Sequence, residues 1–422
     1  MLLILLVATA LPAAARTVRV KLHKGKIITL KLEDYVAGVM MGEASTFTSP
    51  EARKAMAIAI RTFAVRHIGR HIGRHIGRHG AESYDFCETT HCQDFRTTDG
   101  VSEAVRAAVE ATDSELLWYD GRPAATHYTG HCGGQSAAGR EIWPDLQQQA
   151  PYLRSAPDTF CLTRGRADWS RQLPAGGGPL TILRRSASGR VLEVLLNGRR
   201  QSGELFPSNL FDSAGGGNRM AGYGAGHGVG LCQVGADERG KAGQTHEEIL
   251  KAYYPGTVLG IAAGGLRWRT AQGDGVQVFA SSDATLREVL PLAERAMRDA
   301  MRTLPLPTPP PTARIRVYPT IAVYRDATGD SGHIAATTSG SLVRLQPPGV
   351  LRGQGVLYST LRHEMLHVLI ETIAAPSLPA WFREDLARRP SYWTTRHGLD
   401  AVIRWVRSGQ LPRDAVPPPG AR

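Results

Sequence analysis

Acid is what this chain is short of. Its 422 residues carry 38 Asp and Glu against 50 Lys and Arg, a net charge of +12. A basic surface favours polyanions, but no nucleic-acid-binding motif accompanies the charge, so nucleic acid is not expected as a partner. Cysteine is scarce as well. There are five, an odd number, so at least one thiol is left unpaired within the chain. Long apolar runs are missing beyond MLLILLVATALPAAA at the start. No later stretch is apolar enough to span a bilayer, and any membrane association is peripheral at most. The opening run is itself too short for a comfortable span. It reads as an export signal over 1–15 ending at Ala13, Ala14 and Ala15. No Lys or Arg precedes it, which fits a start internal to a longer signal, and no cysteine stands at the cleavage point, so a lipoprotein is not expected. An exported, periplasmic or wall-associated protein is expected, and for a basic one the anionic cell wall is the natural partner.

What is present points to a mixed α+β protein of more than one domain, since single cores stop growing near about 250–300 residues. TVRVKLHKGKIITLK (17–31) alternates around a Gly turn and predicts a hairpin. YVAGVMMGEAS then carries Glu43, the only acid between Asp34 and Glu51. A carboxylate among Met40, Met41, Gly42 and Ala44 feels desolvation, which raises its pKa and suits a general acid, although an ordinary solvated loop glutamate fits the local pattern too. Ser49, Pro50 and Glu51 start a helix. Its residues Ala52, Ala55, Met56, Ala59, Ile60 and Phe63 mark a buried face.

HIGRHIGRHIGRHG (67–80) is a repeat read as a solvated basic insertion rather than a metal tract. Cys87, His91 and Cys92 in YDFCETTHCQ have a spacing that can hold Zn²⁺, with a disulfide as the competing reading. Cys132 and Cys161 are a further candidate pair, and Cys232 is the remaining thiol. In GHGVGLCQVGA, glycines flank His227 and permit a close backbone, so His227 is expected to line a cleft, or else to cap the helix that follows.

Several of these stretches, in this order, resemble the SpoIID/LytB family, the sporulation stage II protein D and amidase-enhancer proteins. YVAGVMMGEAS with EARKAMAIAIRTFA is similar to the family's glutamate element and following helix. YDFCETTHCQ, HYTGHCGGQS, GHGVGLCQVGA and EEILKAYYPGT continue the match, over about residues 17–265. The resemblance implies a mixed α/β domain over 16–265 that acts on peptidoglycan glycan strands as a lytic transglycosylase. Glu43 would be its acid/base, and Tyr128, His227 and Gln233 would bind substrate. It also implies a zinc site at Cys87, Cys92 and His91, with His79 as the displaced upstream histidine. The enhancer members imply the alternative of a wall-binding activator of a cell-wall amidase.

Beyond 265, residues 266–313 are expected as a linker. It would contain an amphipathic helix (286–304, with Leu290, Leu292, Ala293, Ala296, Met297 and Met301 on one face) and a Pro-rich connector. Residues 314–422 then form a smaller domain with a mixed sheet. ARIRVYPTIAVYRDATG reads as strand and turn, and 332–348 as an edge-type strand pair. LYSTLRHEMLHVLIE contains HExxH. On a helix this puts His363 and His367 on one face, able to share Zn²⁺, with Glu364 placed as general base. LPAWFREDLA resembles the third-ligand helix of the gluzincin, peptidase MA-like family, which implies Glu384 as third ligand and a zinc metallopeptidase targeted to the wall. Asp385 stands where that pattern has Gly, and is expected to crowd the site. Tyr392 and His397 are left without a role.

Overall fold

The computed structural model describes residues 17–68, 79, 82–97, 100–172, 180–213, 219–306, 311–328, 330, 332–412 and 415. The stretch expected to be an export signal and most of the His-Ile-Gly-Arg repeat lie outside them. The described chain divides into two compact units, Thr17–Leu266 and the residues from Arg267 onward. Both mix helix and sheet, as an α+β fold requires. Among the described residues no helix is long and apolar enough to cross a membrane.

In the first unit the hairpin forms as expected, Thr17–Lys21 against Ile27–Lys31. Phe86–Cys87 adds a short parallel strand to it. The carboxylate helix, Leu32–Glu43, follows directly, and the central helix, Pro50–Ile68, comes after a break. Ser49 caps the latter, its Oγ accepting the Ala52 N–H at 3.3 Å. Asp237 reinforces the start by accepting the Thr48 and Ser49 N–H groups, both at 2.8 Å. The central helix is buried on every side rather than on one face, from Ala55 through Ala64 without interruption. Its alanines let neighbouring elements approach. The one guanidinium in that run, Arg61, is fully buried and paired with Glu33 at 2.7 Å, as a buried charge must be. A small β lobe follows, with Asp168–Gln172, Thr181–Arg185, Val191–Leu196, Arg199–Ser202, Phe211–Ser213 and Arg219–Tyr223 in two three-stranded sheets. Val191, Val194, Phe206, Phe211 and Met220 give it a core of its own.

The second unit has a five-stranded mixed sheet. Residues 266–313 are not a linker. Arg269–Gln272 and Val276–Ala280 are strands of this sheet, and Asp283–Thr303 is a helix packed on it. Val276–Ala280 pairs in parallel with Ala313–Val317, the strand beyond that helix, so the three form one crossover unit. The helix buries Leu286, Val289, Ala293, Ala296, Met297 and Ala300, while Met301, placed by spacing on the buried face, is exposed. Ile321–Thr328 is a helix where a turn was expected. Ala336–Ser339 and Leu342–Leu345 form the expected antiparallel pair, with the former at the sheet edge. The HExxH helix spans Leu357–Ile373 and buries Leu361, Leu366, Leu369 and Ile370.

Candidate functional site

Glu43 ends the carboxylate helix, where the carbonyl end of the helix dipole disfavours a negative charge. The helix packs closely here because position 42 is glycine. A Cβ on Gly42 would lie 2.0 Å from the Asp94 carbonyl oxygen. That approach lets the Asp94 N–H donate to Glu43 Oε1 at 2.8 Å. Gln233 Nε2 donates to Oε2 at 3.0 Å from 190 residues further along the chain. Burial pushes the Glu43 pKa above the ordinary carboxylate value; the Asp94 N–H, Gln233 and the Tyr128 hydroxyl pull the other way without cancelling it. Tyr128 in turn accepts from Gln93 Nε2 at 2.9 Å, and Gln93 Oε1 accepts from Tyr35 at 2.9 Å. A chain of neutral hydrogen bonds thus holds the carboxylate.

Glu43 lines a cavity of about 720 Å³ whose wall also includes Tyr128, His227 and Gln233. The three residues expected to bind substrate therefore share one cleft with the glutamate. His227 does not cap the next helix; Cys232 does. Its ring lies 4.6 Å from Trp143, which in turn lies 4.7 Å from His127. Trp143, His127 and Gln93 had not been singled out from the sequence. Gln93 sits inside the recognised YDFCETTHCQ, the one signal that could have found it. Glu204 is a second carboxylate on the cleft wall, and it is exposed.

At the rim, His91 and Cys92 belong to a cluster with His79 and Cys87. Cys87 Sγ stands 3.4 Å from Cys92 Sγ, which lies 3.3 Å from His79 Nε2; His91 Nδ1 is 3.6 Å from both sulfurs. The sulfurs are not bonded to each other. Nitrogen and sulfur ligands about 2.0–2.3 Å from Zn²⁺ stand about 3.3–3.8 Å apart in a tetrahedron, so the set fits the ion. Burial pushes the Cys87 thiol up, but hydrogen bonds from Thr89, His79 and Cys92 outweigh it and bring it down to about 6.

The second unit brings its own expected residues together. His367 Nε2 is 3.1 Å from both His363 Nε2 and Glu384 Oε2, and His363 Nε2 is 3.6 Å from Glu384 Oε1. These separations also fit a shared ion. Burial and the charge of His367 push His363 down, towards the neutral form a metal needs. Glu364 is buried and accepts from Thr338 Oγ1 at 2.6 Å, on the edge strand. Asp385 does not crowd this cluster. Its carboxylate is taken by Arg389 at 2.7 Å and by Trp393 Nε1 at 2.8 Å. His397 packs between Trp393 and Trp405, and Tyr392 accepts from Arg396.

Residues 21–119 match the family model of the stage II sporulation protein, SpoIID. An uncharacterized protein of Brachyspira hyodysenteriae is 28% identical over 253 residues, 54% of this chain and 66% of that protein, just under two thirds of its length. Stage II sporulation protein D of Bacillus subtilis is 25% identical over 261 residues, 55% of this chain and 75% of the relative. The amidase enhancer of Bacillus subtilis is 52% identical over 40 residues, only 10% of this chain and 6% of that protein.

Proposed function

The chain carries a SpoIID family domain and is a cell-wall-related protein; from that premise we propose that it is an exported lytic transglycosylase acting on peptidoglycan glycan strands. The observation that carries the reading is the setting of Glu43, a carboxylate with a raised pKa, held by neutral donors at the wall of a cavity with aromatic sides. As a general acid this group starts the cycle protonated, the form its burial favours. It gives its proton to the glycosidic oxygen as the C–O bond breaks. As carboxylate it then takes the proton of the sugar hydroxyl that closes the anhydro ring, so no water is consumed. The Asp94 N–H, Gln233 and Tyr128 steady the carboxylate between the two transfers, and Trp143 with His227 offers faces against which sugar rings stack. A hydrolase with two carboxylates is the competing chemistry, with Glu204 as partner. Glu204 is exposed, unlike the half-buried Glu43, which favours the single-carboxylate reading.

Zn²⁺ is the ion both the rim cluster and the His363, His367 and Glu384 cluster would hold. In the second unit it would supply Lewis-acid chemistry for peptide hydrolysis. Glu364, tethered by Thr338, is there the group that moves a proton. The amidase-enhancer likeness favours a second reading, in which the domain binds the wall and activates a separate amidase. The deciding experiment digests purified peptidoglycan with wild type and with Glu43→Gln and reads the fragments by mass spectrometry. Anhydro-terminated fragments from wild type alone are expected. No fragments from wild type, with co-sedimentation on the wall retained, would replace catalysis by the enhancer role.

A further inference from the structure

Away from both histidine-containing clusters, the other three cysteines meet in the interior of the first unit. Cys132, Cys161 and Cys232 have no solvent exposure, and Asp158, at 2%, lies among them. The four come from three separate segments. Cys132 follows the strand Tyr128–Thr129, Asp158 and Cys161 flank the start of the 3₁₀ turn Thr159–Arg164, and Cys232 caps the helix Gln233–Lys241. Cys132 Sγ is 3.3 Å from Cys161 Sγ and 3.7 Å from Asp158 Oδ2, and all four ligand atoms lie within 4.8 Å of one another. We propose that this is a closed structural site for one Zn²⁺, with three thiolates and one carboxylate as ligands.

Simple packing of three thiols does not account for what surrounds them. Backbone N–H groups are aimed at the sulfurs, Gly134 N at Cys161 Sγ at 3.1 Å and both Cys132 N and Gly235 N at Cys232 Sγ at 3.3 and 3.4 Å. An apolar cluster needs no donors; thiolate ligands do. The carboxylate is built in as well. A Cβ at Gly235 would meet Asp158 Oδ2 at 2.3 Å, so only glycine leaves room for it. Tyr253 donates to that oxygen at 2.7 Å, and Arg239 pairs with Oδ1 at 3.4 Å, the second layer that orients a ligating oxygen. As ligands of a divalent ion, the three thiolates and the Asp158 carboxylate would carry four buried negative charges, which call for cations. Arg239 is one, and the buried Arg190, bonded to the Cys132 carbonyl at 2.7 Å, is another. A divalent ion completes the balance. Three sulfurs select a soft ion, and four protein ligands leave no position open for substrate, which is the pattern of structural zinc. The residue after Cys232 is Gln233, so the ion would pin the segment that delivers the Gln233 amide to Glu43.

The test uses the full chain carrying Cys87→Ser, Cys92→Ser, His363→Ala and His367→Ala, which removes the two other clusters. After exhaustive desalting, metal analysis is expected to find one equivalent of Zn²⁺ per chain. Replacing it by Co²⁺ should give a strong thiolate charge-transfer band that Cys161→Ser abolishes. Absence of bound metal overturns the proposal, whether the three thiols are then free or Cys132 and Cys161 are joined and the chain is lighter by two hydrogens. Should the fourfold variant misfold, wild type is alkylated without reductant. Chelator-dependent exposure of Cys132, Cys161 and Cys232 upholds the site; protection that the chelator does not relieve, or a disulfide among them, overturns it. None of these readouts depends on glycan cleavage.

Discussion

Glu43 and Glu384 are two carboxylates in opposite electrical surroundings. Around Glu43 the donors are neutral, an amide side chain, a backbone N–H and a phenol, and they do not overcome burial, so its pKa rises. Around Glu384 burial also pushes up, but its neighbours His363, His367 and the Arg388 guanidinium, with Arg388 Nε at 2.6 Å, favour the charged form, and the pKa falls. The first environment favours the protonated form, the second the anion. On the proposed reading the same side chain serves as an acid in one unit and as a ligand in the other, according to its neighbours.

The largest expected effect separates the two. Glu43→Gln should lower release of anhydro fragments by about 10²–10⁴-fold, the usual share of general acid–base catalysis, while Glu364→Gln leaves it unchanged. Equal losses from both variants would mean that the two units do not house separate chemistries. Glu204→Gln, tested beside them, should keep most activity; a loss as deep as that of Glu43→Gln would establish the two-carboxylate hydrolase instead.

Next in size is a contrast within the second unit. Glu384→Ala should abolish Zn²⁺ retention by that unit with little change in folding. Asp385→Ala should do the reverse, costing about 1–3 kcal/mol of stability because Trp393 and Arg389 lose their buried acceptor. Metal analysis and denaturant unfolding on both variants check the pair. Tighter metal retention in Asp385→Ala than in wild type would restore the expectation that this carboxylate interferes with the site.

How much of this was readable beforehand follows from how local each feature is. His363 and His367 are four residues apart on one helix, and that spacing alone puts them together. The start of the central helix was written in Ser49, Pro50 and Glu51. By contrast, Gln233 reaches Glu43 only because Leu231–Cys232 pairs in parallel with Tyr128–Thr129, a pairing between segments about a hundred residues apart. Nothing near Trp143 signals that its ring shares a wall with His227, and for His127 the only pointer was its place at the start of HYTGHCGGQS. The missed crossover at 276–317 has the same origin. The partner of Val276–Ala280 lies beyond a helix and a Pro-rich stretch, so no turn marks the pair. Asp385 was misjudged for the opposite reason, because a family pattern suggested a clash that Trp393 and Arg389 resolve locally.

A backbone-level prediction sharpens the account of Glu43. Gly42→Ala would force the Asp94 segment away from the carboxylate helix, since the new methyl carbon would overlap the Asp94 carbonyl. Overpacking of this kind costs about 1–3 kcal/mol, and the N–H that Glu43 accepts would move with it. Denaturant unfolding should show the loss of stability together with reduced cleavage. A variant as stable and active as wild type would mean that the contact with Asp94 does not set the site.

The smallest effect tests the electrical comparison most directly. If Glu43 works as an acid, activity is present below its raised pKa and is lost as pH rises through it. Gln233 favours the charged form by donating to Oε2. Gln233→Ala removes that donor, so the neutral form becomes more stable still, the pKa rises further, and the alkaline limb of the activity profile moves to higher pH. The rate at low pH should fall by only a few-fold, because the carboxylate formed in mid-cycle loses one of its donors. Adding a charge where the amide stood should do the opposite. Gln233→Lys brings the cationic surroundings of Glu384 to Glu43, so the limb should move to lower pH, leaving an anion where the reaction needs an acid. Unmoved limbs in both variants would show that Gln233 positions Glu43 without setting its proton affinity.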